Sequence, residues 1–225
     1  MIAVIDYGMG NLRSVSKALE HVGAAVQVTS DPHTLERAEK IILPGVGAFP
    51  SAMRELRARK LVDPIKEAIA VGKPYLGICL GLQLLFERSE EGEGVEGLGI
   101  VPGVVRRFQA PPARRAHWPG RASLKRQAAL KIPHMGWNQI AARHETGDMR
   151  QETCPLLRSI PEGSYVYFVH SYYADPVDRG VVVLETEYGI RFASMVWKDN
   201  LFATQFHPEK SQAVGLTLLK NFVER

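Results

Sequence analysis

The sequence predicts an α/β protein with a parallel central sheet flanked by helices and an additional antiparallel β portion in its C-terminal half. Two observations predict it. In the first ninety residues, short apolar runs alternate with segments of helical spacing, the pattern of parallel strands covered on both faces. Beyond them the runs become short, β-branched and aromatic, separated by Gly, Pro or Asp turns, which suits antiparallel strands.

Ile2 to Ile5 forms a first buried strand, and Asp6-Tyr-Gly-Met-Gly-Asn11 the turn after it. Leu12 to Val22 has helical spacing and stops at Gly23. Ala25 to Thr29 is a second strand, and Ser30-Asp-Pro-His opens a turn and a short helix. Lys40-Ile-Ile-Leu-Pro is a third buried strand ending in Gly45-Val-Gly47. Ser51 to Ala70 is helical with a break before Pro64. Tyr75 to Ile78 is a fourth strand, after which Leu80, Leu82, Leu84 and Leu85 with Glu87 and Arg88 continue at helical spacing. Further strands are expected at Val101 to Phe108, Gln139 to Ala141, Tyr165 to Tyr173, Gly180 to Glu185, Phe192 to Trp197 and Leu201 to Phe206, with a closing helix at Leu216 to Glu224. A length of 225 residues suits one domain spanning 1–225.

The net charge of +4 is local in origin. From Arg106 to Lys131 there are eight Lys or Arg and no Asp or Glu, leaving 20 basic and 24 acidic residues elsewhere. This stretch contains three prolines and little periodicity, so a basic surface insertion at about 108–130 is expected rather than a nucleic-acid site. Met1-Ile-Ala-Val-Ile-Asp lacks a basic segment followed by a long apolar one, and no apolar run reaches membrane-spanning length. A cytoplasmic protein without membrane contact is expected. Two cysteines, Cys79 and Cys154, are too few for a disulfide framework, and no paired Cys or His spacing suggests a metal. Neither metal nor cofactor is expected; Gly8-Met-Gly10 has Arg13 where a dinucleotide loop needs its third glycine.

Cys79 lies where an apolar strand meets the following helix, as Gly77-Ile-Cys-Leu-Gly81. This is the cysteine form of the Gly-x-Ser-x-Gly elbow, in which a strained strand-to-helix turn pushes the nucleophile outward. Helix-terminal amides favour a thiolate, and the Leu80 amide is placed to meet an oxyanion. A buried structural cysteine fits the same run. A thiol nucleophile needs a base, and the base needs a group to orient it. Of seven histidines, His207 is followed by Pro208-Glu209 at the end of an apolar strand, and residues two apart in extended backbone share a side. A surface turn with a solvated glutamate is the other meaning of His-Pro-Glu. Gly45-Val-Gly47 sits at a further strand end, where glycines let amides approach a ligand closely. Gln83, one helical turn beyond Cys79, faces either the same pocket or solvent.

Gly77-Ile-Cys-Leu-Gly81, Gln205-Phe-His-Pro-Glu209 and Pro44-Gly-Val-Gly47 together resemble the class I glutamine amidotransferases. Asp6-Tyr-Gly-Met-Gly-Asn11, Pro133-His-Met-Gly-Trp-Asn138, Tyr167-Phe-Val-His-Ser-Tyr172 and His207-Pro-Glu-Lys-Ser211 resemble, within them, the glutaminase subunits of imidazole glycerol phosphate synthase. The likeness covers nearly the whole chain and departs from the family at the basic stretch, which is longer than the family's usual link.

The resemblance implies the class I amidotransferase fold and hydrolysis of glutamine to glutamate and ammonia by a Cys79, His207 and Glu209 triad. It implies an oxyanion site formed by the Gly45-Val46 segment with Leu80, and glutamine held by Gly47, Gln83, Glu91, Ser171 and Tyr172. It also implies a heterodimer with a (β/α)8-barrel synthase subunit, contacted through Asn11, Trp137 and Lys210. That subunit would use the ammonia to make imidazole glycerol phosphate and AICAR in histidine biosynthesis. Taken singly, these three interface residues read equally as a helix cap, a core aromatic and a solvated lysine. Glutaminase subunits of anthranilate, GMP or carbamoyl phosphate synthesis, and a non-catalytic binding module of the same fold, remain as alternatives.

Overall fold

The computed structural model describes residues 1–109, 130–143 and 154–225. Most of the expected basic insertion lies outside the described residues. The first half alternates β1 (Ile2–Ile5), α1 (Leu12–His21), β2 (Val26–Thr29), α2 (Pro32–Arg37), β3 (Lys40–Gly45), α3 (Phe49–Ala58), α4 (Val62–Ala70) and β4 (Tyr75–Cys79). α5 (Leu80–Gln83), β5 (Phe86–Ser89), β6 (Val95–Glu96), β7 (Val101–Arg107), β8 (His134–Gln139) and β9 (Ala141–Ala142) follow. β10 (Tyr165–His170), β11 (Tyr172–Pro176), β12 (Val182–Glu187), β13 (Arg191–Lys198), β14 (Leu201–Thr204) and α6 (Gln212–Glu224) complete it.

The eight-stranded main sheet runs β2-β1-β3-β4-β14-β13-β12-β9. Its β2 to β14 portion is parallel, and the rest is antiparallel. β1, β3, β4 and β14 are buried along nearly their whole length, as strands covered on both faces must be. β8 and β10 form a separate antiparallel pair, and β11-β7-β5-β6 a third sheet. Register decides what meets at the strand ends. Gly45 pairs with Cys79 and Thr204 with Ile78, so the carboxyl ends of β3, β4 and β14 deliver Gly45-Val46, Cys79 and Gln205-Phe206-His207 to one edge of the sheet.

Several expectations are corrected. The helix after Cys79 stops at Gln83, and Glu87 and Arg88 lie on β5. Leu80, Leu82, Leu84, Leu85 and Phe86 are all buried, so the run is covered on every side and its helical spacing marks no single face. Tyr165 to Tyr173 is two strands, not one. His170 pairs with His134 of β8, whereas Tyr172 pairs with Arg107 of β7, and the chain changes sheets at Ser171. Gln139 to Ala141 likewise divides, with Gln139 ending β8 and Ala141 opening β9. Gly180 belongs to a 3-10 turn, Arg179–Val181, held by the Asp178 side chain accepting from the Gly180 amide.

Glycines set the tightest contact. A β-carbon on Gly81 would collide with the carbonyl oxygen of Leu43 in β3, and one on Gly77 would lie 2.6 Å from the Gly81 carbonyl oxygen. The turn after β4 therefore lies backbone to backbone on its neighbours. Gly81→Ala is expected to lower the unfolding free energy by about 1 to 3 kcal/mol through overpacking, measured by chemical denaturation. An unchanged midpoint would show that Leu43 moves aside freely.

Candidate active site

Cys79 adopts φ +55° and ψ −105°, a region closed to most non-glycine residues and costing about 1 to 3 kcal/mol to occupy. The expected elbow is thus present. α5 has only four residues, so the local donors are individual amides rather than the field of a long helix.

His207 follows β14 and is nearly sealed from solvent. Its Nδ1 lies 2.8 Å from Glu209 Oε1, and both side chains are buried. The backbone holds the base in place as well. The His207 amide donates to the Tyr167 carbonyl at 2.9 Å, and the Ser211 hydroxyl donates to the His207 carbonyl at 2.6 Å. With Nδ1 occupied, Nε2 is the nitrogen left for the thiol. Burial disfavours a charged ring, but the Cys79 sulfur and then the Glu209 carboxylate outweigh it, pushing His207 up to about 10. A sulfur, a base and an orienting carboxylate in this order can form and break an acyl bond. Cys154 is the contrast: burial pushes its thiol up to about 11, away from the thiolate a nucleophile needs.

A pocket of about 400 Å³ opens over Cys79, lined also by Val46, Gly47, Leu80, Gln83, Glu91, Ser171 and Tyr172. Every substrate-side residue named from the sequence meets there. Gly45 lies behind the lining, at the end of β3 beside Cys79. Gly47 needs to be glycine, because it holds φ +102° with Met9 close by. Glu91 accepts from the Phe49 amide at 2.8 Å, which fixes its carboxylate at the start of α3. Gln83 is buried rather than solvated and donates to the Tyr172 carbonyl at 2.9 Å and to Gln205 Oε1 at 3.1 Å.

Three of the functional surroundings escaped the sequence. Gln205 Nε2 lies 3.6 Å from Cys79 Sγ, the thiol lies 3.9 Å from the Val169 carbonyl, and His170 lines the pocket. Gln205 was legible only as part of the Gln-Phe-His-Pro-Glu string. Tyr7 is buried with its hydroxyl unpaired among the described residues, and burial, helped by charge on Cys79, pushes that hydroxyl up.

The residues expected at a partner lie elsewhere. On β8 and β10, alternate residues face outward, leaving Met135 60%, Trp137 46% and Tyr165 55% exposed. Trp137 is therefore no core aromatic. It meets Tyr167 edge-on at 6.1 Å, and Lys210 Nζ sits 5.7 Å from the Tyr167 ring centre. Asn11 is the N-cap residue of α1 but makes no side-chain cap hydrogen bond. α1 packs against the Pro208–Lys210 turn.

The family model for glutamine amidotransferase class-I matches residues 3–225. The chain belongs to the class I glutamine amidotransferase family. It is 50% identical over 222 residues to the imidazole glycerol phosphate synthase subunit HisH of Syntrophotalea carbinolica, covering 99% of this chain and 98% of that one. The HisH subunit of Geobacter metallireducens is 50% identical over 221 residues, covering 98% and 96%. Among solved structures, a glutamine amidotransferase crystal structure superposes with a TM-score of 0.69 at 16% identity, covering 100% of this chain and 98% of that one, which shows the shared fold.

Because Cys79 is the largest influence raising His207, the imidazole of this amidotransferase should stay protonated as pH rises past 6.5 toward 10. In Cys79→Ala the ring is expected to titrate at distinctly lower pH, read from its NMR carbon-bound proton signals. An unchanged titration would mean that the sulfur does not act on the ring.

Proposed function

We propose that the chain is the glutaminase subunit of an imidazole glycerol phosphate synthase, acting in histidine biosynthesis. One observation carries the choice of synthase: half identity along 99% of the chain to a protein bearing that name. The elbow, the buried His207–Glu209 pair and the shared pocket support the chemistry.

Glutamine enters the pocket with its side-chain amide carbon over Cys79. Gly47, Gln83, Glu91, Ser171 and Tyr172 hold its amino-acid end. The sulfur attacks the amide carbon, and the resulting oxyanion meets the amides of Leu80 and the Gly45-Val46 segment. Each such donor contributes about 3 to 4 kcal/mol to the transition state. His207 gives its proton to the departing nitrogen while Glu209 holds the ring in the required orientation. Ammonia leaves and a γ-glutamyl thioester remains. His207 then takes a proton from water, which attacks the thioester and releases glutamate with Cys79 restored.

The ammonia passes to a (β/α)8-barrel synthase subunit, which makes imidazole glycerol phosphate and AICAR. That subunit covers the outward face of β8 and β10 around Trp137, with Lys210 and Asn11 at its margin. Isolated apolar side chains on a surface are ordinary, but three exposed large ones on one two-stranded sheet suit a partner. The cytoplasm is the compartment that such a biosynthetic role implies.

Cys79→Ala is expected to abolish glutamine-dependent synthesis by the complex while leaving synthesis from added ammonium salt near the wild-type rate. Retained glutamine-dependent turnover would remove Cys79 from the mechanism.

A further inference from the structure

A continuous set of hydrogen bonds runs from the outer sheet to the Cys79 sulfur, and the mechanism above gives no part to four of its members, Asn138, His134, His170 and Gln205. Its first bond fixes all the others. The Gln139 amide donates to Asn138 Oδ1 at 2.8 Å, so the other atom of that amide, Nδ2, is a donor. Asn138 Nδ2 lies 3.0 Å from the Glu187 carbonyl and 3.2 Å from His134 Nε2. His134 Nε2 must therefore accept, which places the ring proton on Nδ1. His134 Nδ1 lies 3.1 Å from His170 Nε2, so that nitrogen accepts in turn and His170 also carries its proton on Nδ1. His170 Nδ1 then donates to the Tyr172 carbonyl at 2.8 Å. The far end agrees independently, since a carbonyl can only accept.

Beyond Tyr172 the bonds reach the nucleophile. The same carbonyl accepts from Gln83, Gln83 donates to Gln205, and Gln205 Nε2 points at Cys79 Sγ. Both rings are packed so that they cannot turn freely: His134 stacks on Phe168 at 4.8 Å and on Tyr188 at 3.9 Å, and His170 lies 5.1 Å from the Phe192 ring. Burial pushes both imidazoles down, His134 to about 4 and His170 to about 3, consistent with two neutral rings.

We propose that His134 and His170 are positioning residues for Cys79, joined as a neutral relay with both protons on Nδ1 that transmits the placement of β8 and β10 to Gln83, Gln205 and the sulfur. This rests on Cys79 being the nucleophile and on the outer face of that sheet meeting the synthase. Asn138 and His134 share the inward face of β8, while Trp137 lies between them on the outward face. A shift of β8 under a partner therefore moves the first two members of the relay.

Asn138→Asp tests the polarity of the relay with almost no change of shape. The new oxygen cannot donate, so it loses the Glu187 carbonyl and demands a proton on His134 Nε2, and the order of donors and acceptors down to Tyr172 is broken. In the complex with its synthase, glutamine-dependent kcat is expected to fall roughly tenfold, the loss of about one hydrogen bond. KM for glutamine should stay within about twofold, and the ammonium-dependent rate should not change. Nitrogen-15 NMR of the wild-type chain should show protonated Nδ1 and unprotonated Nε2 on both rings, an outcome that does not depend on whether the variant folds. A proton on Nε2 of either ring, or a folded Asn138→Asp complex with wild-type kcat, would overturn the relay. Either result, with Cys79→Ala still dead toward glutamine, leaves the proposed function standing. Glutamine turnover surviving Cys79→Ala would instead remove that function.

Discussion

The site depends on a backbone that can bend sharply at Cys79 without separating β3 from β4. A positive φ on a non-glycine residue survives only where its surroundings over-determine it. Here they do so by close contact: Gly77 and Gly81 lack side chains, so the turn packs directly against the Leu43 carbonyl and against itself. The sulfur is thereby fixed at the carboxyl edge of the parallel sheet. Gly45 and the Gln205 to His207 segment arrive at the same edge because parallel register puts them there.

β10 organises the other side of the pocket. Its Tyr167 carbonyl holds the His207 amide, its Val169 carbonyl lies near the thiol, and His170 reaches the pocket wall. The face of this strand away from His170 carries Tyr165 and Tyr167 beside Trp137 and Lys210. One two-stranded sheet therefore reaches Cys79 and His207 through the backbone along one edge and presents an aromatic surface on one face. Coupling between a surface and a distant site needs an element that touches both, and this sheet touches both.

Much of this was legible in the sequence. β1, β3 and β4 appear as short apolar runs because they are buried on both faces, and Cys79 and the His207–Glu209 pair stand out because each sits in its own short motif, Gly77-Ile-Cys-Leu-Gly81 and His207-Pro-Glu209. The end of the helix after Cys79 is not legible, because Leu80 to Phe86 is buried all round and period carries no information there. Alternation continues through Ser171, and nothing local announces that His170 pairs with β8 while Tyr172 pairs with β7. Trp137 is equally ambiguous, since one residue of register moves an aromatic from core to surface. Gln205 and the His134–His170 pair were missed for a related reason. Their partners come from segments 36 to 126 residues away, and only the tertiary fold brings them together.

In the proposed mechanism, the strained elbow presents Cys79 as the atom that takes the acyl group of glutamine. Acid quenching of the complex during turnover, followed by peptide mass spectrometry, tests it directly. A γ-glutamyl group on the peptide containing Cys79, absent when glutamine is withheld, is the predicted result. Turnover proceeding with no covalent species, or with the group on Cys154, would contradict it.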